Sequence, residues 1–235
     1  MTWKAKVLDL LFPPKCVFCH KLMERGEICP DCEKKLLAME QPKNRTLSGG
    51  TFCVSALPYE DIVRESILRF KFQGRDHYAS VYGEIMARTA ALELSDRFDL
   101  VSWVPVSKKR KRQRGYDQAE LLAKEMCRLW GAAPVRTLEK TRDNPPQSGL
   151  SSAEERRANV HGVYEAVNWE QFAQKKVLLV DDILTTGSTV QESARVLRLA
   201  GAAEVMVLTL AATGEETACV SRHEKRTKKF GLVEN

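Results

Sequence analysis

The sequence has no long hydrophobic run. Crossing a bilayer takes ~20 consecutive apolar residues, and nothing in the 235 residues approaches that length. It also lacks the uninterrupted apolar stretch and small-residue cleavage site of a secretory signal. Near the start, Trp3, Val7, Leu8, Leu10, Leu11 and Phe12 are broken up by Lys4, Lys6 and Asp9. That pattern predicts a short amphipathic helix, either packed on the body of the protein or docked at a membrane surface. No internal repeat is present. Few aromatics lie beside cations (Tyr116 and Phe230 only), so a stacking platform for bases is poorly supported. A general basic excess is missing too. The formal net charge is +6, and Lys108, Lys109, Arg110, Lys111, Arg112 and Arg114 alone account for it. One local patch of this kind suits a specific anionic partner better than a nonspecific coat.

What is present fits a soluble chain of one medium domain with a small appendage: 43% apolar and 29% charged residues. With no secretory signal, the expected compartment is the reducing cytoplasm, where paired cysteines point to metal rather than disulfides. Cys16-x-x-Cys19 and Cys29-x-x-Cys32 form two such pairs, nine residues apart. Four thiolates at this spacing reach one tetrahedral Zn²⁺. Four cysteines also suit an iron–sulfur cluster. A closed four-thiolate site is structural, and a segment this short with few aliphatics needs a metal for stability. His20 is adjacent but superfluous. Cys53, Cys127 and Cys219 read as core or surface thiols.

The polar stretch from Gln41 to Gly50 reads as a linker or turn. We place the boundary there, with a four-cysteine domain over 1–47 and a larger domain over 48–235. In the second, Phe52–Leu57, Leu100–Val106, Val177–Val180 and Val205–Leu210 read as strands. Tyr59–Phe72 and Tyr78–Leu94 read as helices, as do the stripes Ala119, Leu122, Met126, Leu129 and Val190, Ala194, Leu197. Asp117 and Glu120 resemble a capping box. Strands alternating with helices predict an α/β fold, a parallel sheet covered on both faces. The tail from Arg222 is polar and basic.

The strongest chemical signal runs from Val177 to Val190. A buried strand ends in Asp181 and Asp182, and a turn of Thr185, Thr186, Gly187, Ser188 and Thr189 then opens a helix. Amide groups at a helix start hold anions, and Gly187 lets backbone approach a phosphate. Two carboxylates beside such a pocket repel a simple phosphate. A sugar phosphate removes the conflict, since carboxylates accept hydrogen bonds from vicinal hydroxyls. A bound Mg²⁺ further offsets the charge.

This segment resembles the motif by which type I phosphoribosyltransferases bind 5-phosphoribosyl 1-pyrophosphate (PRPP). The resemblance implies that Asp181 and Asp182 hold the ribose hydroxyls and are the candidate catalytic residues. It places Leu184, Thr185, Thr186, Gly187, Ser188 and Thr189 around the 5′-phosphate. Ser188 stands where Gly or Ala is more usual.

A second strand, Leu100–Val106, is followed by what reads as a basic loop before a helix. Lys108, Lys109, Arg110, Arg112 and Arg114 there could hold a pyrophosphate or a nucleic-acid backbone, or form a solvated loop. Together with Arg114-Gly115-Tyr116-Asp117-Gln118, the chain is similar to the ComF competence family. So are Gln147, Leu150, Ser151, Glu155-Arg156, Asn159, Gly162, and Lys71-Phe72-Gln73-Gly74. Ser107 and Lys108 stand where that family often has His-Pro, and Asp117 where it often has Asn. Asn144–Asn159 resembles a loop that closes over phosphoribosyltransferase sites, and reads equally as a surface loop.

Three functions are open on this reading. The family resemblance implies PRPP binding and help in importing single-stranded DNA during natural transformation. The partner would be an ATP-driven DNA translocase, at the inner face of the membrane. A salvage phosphoribosyltransferase is the second function, although no nucleobase pocket is recognisable. The third is a module that senses PRPP without turnover.

Overall fold

The computed structural model describes residues 13–95, 97–142 and 162–214. The N-terminal helix expectation, the closing-loop expectation at Asn144–Asn159, Cys219 and the basic tail lie outside these residues. Among the described residues, no helix is long and apolar enough to cross a membrane.

The elements in chain order are α1 (Pro30–Ala38), β1 (Arg45–Leu47), β2 (Thr51–Pro58), α2 (Asp61–Phe72), α3 (Tyr78–Glu93) and β3 (Leu100–Trp103). Then come α4 (Lys108–Arg114), α5 (Gln118–Leu129), β4 (Leu138–Lys140), β5 (Tyr164–Ala166), β6 (Lys176–Leu184), α6 (Ser188–Leu199) and β7 (Glu204–Ala212). The main sheet has the order β1-β2-β7-β6-β3, and β4 and β5 form a separate antiparallel pair. Strands β2, β7, β6 and β3 are parallel, while β1 runs antiparallel at the edge. The stretch read as a linker or turn therefore contributes the sheet's edge strand.

Strand β6 lies inside the sheet, and its side chains alternate between two cores. Leu178 and Val180 enter one core with Met206, Leu208 and the inner faces of α2, α3 and α5. Val177 and Leu179 enter the other with Val190, Ala194 and Leu197 of α6 and Tyr164 of β5. Both faces are covered, as the apolar runs predict. The first core also takes in Val17 and Phe18 of the cysteine head, both at most 2% exposed. Helices α3 and α5 approach closely at Gly83, where a Cβ would stand 2.5 Å from that of Glu125.

Two expectations change. Strand β3 stops at Trp103 rather than Val106. Val104 N–H still donates to the Val180 carbonyl (2.9 Å), but Pro105 has no N–H with which to continue. Conversely, β6 runs on through Asp181 and Asp182 to Leu184, since Asp181 and Ile183 keep register with Thr209 and Ala211 of β7.

Candidate functional site

Open parallel sheets bind ligands at the carboxyl ends of their strands, and the chemistry-bearing residues gather there. Adjacent strand residues point to opposite faces, so the acid pair divides. Asp182 turns toward α2, where Lys71 Nζ lies 2.9 Å from both of its carboxylate oxygens. Asp181 turns toward the α6 side, and its charge acts on buried Tyr164 and Cys53. Asp181 Oδ1 accepts the Asp182 N–H at 2.8 Å. Burial, then the Asp182 charge beside it, holds the Asp181 carboxyl well above the usual carboxylate range.

The turn after β6 follows directly. Gly187 sits at φ 77°, a left-handed conformation that glycine adopts at little cost, and a Cβ there would meet Leu47 at 3.0 Å. Helix α6 starts at Ser188, and its N-cap, Gly187, has no side chain with which to cap the first turn. Thr185 is exposed, Thr186 and Thr189 are half-buried, and Leu184, Gly187 and Ser188 are buried. The Thr186 and Ser188 hydroxyls lie 3.0 Å apart. A cavity of about 790 Å³ borders Thr185 and Thr186 and continues along Lys43, Arg45, Glu60 and Thr213.

The basic segment is not a loop. Lys108–Arg114 is a short helix, because Ser107 caps its start, accepting from the Arg110 N–H at 3.3 Å. Gly115 ends it at φ 84°. Lysine and arginine are good helix formers, and two carboxylates reduce their mutual repulsion. Lys108 pairs with Glu139 at 3.0 Å and Lys111 with Glu120 at 2.6 Å. The cations then separate by face. Arg110 and Arg114, four residues apart, are half-buried. Lys108, Lys109 and Arg112 are exposed, and among the described residues neither Lys109 nor Arg112 forms an ion pair. Arg114 lies 5.0 Å over the Phe72 ring, with Asp182 the foremost opposite charge acting on it. Of the expected anion ligands on this segment, Arg114 is one on which the acid pair acts, through Asp182.

Asp117 caps α5 as expected, accepting from Glu120 N–H at 3.2 Å, and it also accepts from Val106 N–H at 2.9 Å. The Glu120 carboxylate pairs with Lys111 and Lys124. Burial, against those two N–H donors, pushes Asp117 up to about 6.

Sequence reasoning missed Lys71. Its tetrapeptide carried a family resemblance but no role, and 111 residues separate it from Asp182. No local spacing could have paired them.

In the head, the four Sγ atoms of Cys16, Cys19, Cys29 and Cys32 all lie within 4.8 Å of one another. Sulfurs around a tetrahedral Zn²⁺ would stand about 3.8 Å apart, and Cys19 and Cys29 are at 3.6 Å, unbonded. Burial raises the Cys16 thiol, but amides of Cys19, Cys29 and Phe18 outweigh it and bring it down to about 7. The donor set fits a structural Zn²⁺ with no open position. The Cys16–Cys19 knuckle is gripped by α2: Ser66 Oγ donates to the Val17 carbonyl (2.6 Å) and Arg69 to the Phe18 carbonyl.

With this geometry in hand, the comparisons agree. The Phosphoribosyl transferase domain family model matches residues 112–232, and the Double zinc ribbon domain model matches 7–44. These define the class: a phosphoribosyltransferase fold with a zinc-ribbon head. Competence protein F of Haemophilus influenzae is 34% identical over 83% of this chain and 89% of its own length. Competence protein ComFC of Bacillus subtilis is 28% identical over 89% of each. DNA utilization protein YhgH of Escherichia coli is 30% identical over 84% and 90%. The chain belongs to the ComF family of competence proteins.

Two outcomes are expected. Cys29→Ser should release zinc, measured by elemental analysis, and lower the melting temperature; unchanged metal content contradicts the assignment. The raised Asp117 means that the fold holds this proton more tightly than the unfolded chain does. Stability from this group therefore declines as pH rises from 3.8 to about 6, by on the order of 2–3 kcal/mol. Asp117→Asn should remove that slope from urea midpoints taken across the window, and a retained slope would assign it to other groups.

Proposed function

We propose that this chain binds PRPP at the β6 tip and assists the import of single-stranded DNA into the cytoplasm during natural transformation. The observation that carries the reading is the joining of two features within a few residues. An acid pair lies near the end of a largely buried strand, and a left-handed glycine turn, itself the N-cap, opens the following helix. Asp181 and Asp182 take the ribose hydroxyls. Leu184 to Thr189 surround the 5′-phosphate, and Mg²⁺ enters with the diphosphate. In this reading the head (1–47) stabilises the body (48–235) through its zinc. The names of the relatives, competence proteins and DNA utilization proteins, support the role in DNA handling.

The exposed face of α4 suits a DNA backbone, because Lys109 and Arg112 are exposed and form no ion pair among the described residues. The partner would be an ATP-driven DNA translocase, with the chain working at the inner face of the membrane. A second reading, transfer of ribose 5-phosphate to an acceptor, is favoured by one observation: the 790 Å³ cavity beside Thr185 and Thr186 offers room for one. Exchange of labelled pyrophosphate into PRPP in the presence of an acceptor would support turnover.

Asp181→Asn combined with Asp182→Asn should abolish PRPP binding in calorimetry while far-ultraviolet circular dichroism stays unchanged; surviving binding would remove the carboxylates from the ribose site. Lys109→Gln with Arg112→Gln should weaken single-stranded DNA binding and flatten its dependence on salt. An unaltered slope would place the DNA elsewhere.

A further inference from the structure

Lys71 is in none of the ligand sets assigned above, yet it is bound to one of their members. It sits near the end of α2, and its ammonium lies 2.9 Å from both oxygens of Asp182. The two side chains are only 16% and 14% exposed. An ion pair so far removed from water recovers little net stability beyond its own desolvation. A role in folding alone is therefore a weak reason for placing it at a strand tip.

The surroundings point to a ligand. Arg114 stacks 5.0 Å over the ring of Phe72, the residue after Lys71, donates to the Gln118 side chain at 2.9 Å, and has Asp182 as the foremost opposite charge acting on it. The Tyr116 hydroxyl donates to the Phe70 carbonyl, and the Tyr116 and Phe70 rings lie 5.6 Å apart. The end of α2 and the turn from α4 into α5 thus pack as one wall, which carries both Lys71 and Arg114. A carboxylate that shares both oxygens with an ammonium has fewer lone pairs left to offer the hydroxyls of a ligand. A ligand that carries hydroxyls and a diphosphate together removes the difficulty, because it offers each group a new partner. Lysine can make the change: its ammonium is a compact charge on a flexible four-carbon stem, with three donors. The stacked, planar Arg114 is less free to move.

Resting on the PRPP reading, we infer that Lys71 is a diphosphate-binding residue. It neutralises Asp182 while the site is empty. When the site fills, it turns to the ligand's diphosphate and leaves Asp182 to the ribose hydroxyls.

The test uses the full-length, zinc-loaded chain and calorimetry with three probes in Mg²⁺: PRPP, inorganic pyrophosphate and ribose 5-phosphate. Lys71→Met should weaken PRPP and pyrophosphate by about tenfold or more, while ribose 5-phosphate binds as before or tighter. Lys71→Arg should retain part of the diphosphate affinity. Asp182→Asn should act in the opposite sense, weakening ribose 5-phosphate and strengthening pyrophosphate, because Lys71 is released. That gain should vanish in the Lys71→Met, Asp182→Asn double variant, which also leaves no unpaired carboxylate at 182 should Lys71→Met alone fold poorly. A gain that persists in the double variant would mean that only removal of negative charge matters, and would overturn the inference. Equal losses on all three probes in Lys71→Met would overturn it too, since they mark a structural role. If the wild type binds PRPP and Lys71→Met binds it equally well, the inference fails alone. If the wild type binds none of the three, the PRPP reading fails and takes the inference with it.

Discussion

Strand β6 is covered on both faces and hydrogen-bonded on both edges, and the rest of the site depends on that constraint. A strand so placed alternates its side chains between two cores, with Leu178 and Val180 on one side and Val177 and Leu179 on the other. The alternation does not stop where the apolar residues stop. It carries through Asp181 and Asp182, so two acids adjacent in sequence must face opposite ways. Asp182 consequently needs a cation from the α2 side, and Lys71 supplies it. Asp181 remains on the α6 side, where burial and the neighbouring Asp182 charge hold its carboxyl above the usual carboxylate range. The tip therefore holds one carboxylate already paired and one reluctant to ionise. That arrangement tolerates a nearby phosphate better than two free charges would.

The cysteine head joins the same framework. Its knuckle residues Val17 and Phe18 lie in the core that contains Val180 and Leu208. Its carbonyls are held by Ser66 and Arg69 of α2, the helix that also presents Lys71. The metal closes a segment that is too small to bury a core of its own. In doing so it fixes a surface against which α2 is set, so structural chemistry in the head bears on the geometry of the tip.

The sequence revealed the parts of the fold whose signals are local. The run from Val177 to Val180, the stripe on α6 and the spacing of the four cysteines each carry their own periodicity or motif, and the structure places them as expected. The basic helix α4 was less legible. Six like charges suggested a loop, although Ser107 and Gly115, its cap and its stop, were present in the sequence. The short strands β1, β4 and β5 have three residues each, too few to show a period. The Lys71–Asp182 pair was out of reach for a different reason: it is a tertiary contact, formed only once α2 is packed over the strand tip. Separation of the basic residues into a half-buried face with Arg110 and Arg114 and an outward face with Lys109 and Arg112 likewise follows only once that segment is known to be helical.

The most direct measurement is a crystal structure of the chain with PRPP and Mg²⁺ bound. The 5′-phosphate should rest on the amides of Thr186 to Thr189, with the pentose hydroxyls on Asp181 and Asp182. A phosphate seated only on α4, or a pentose whose hydroxyls meet neither acid, would contradict the assignment of this strand tip.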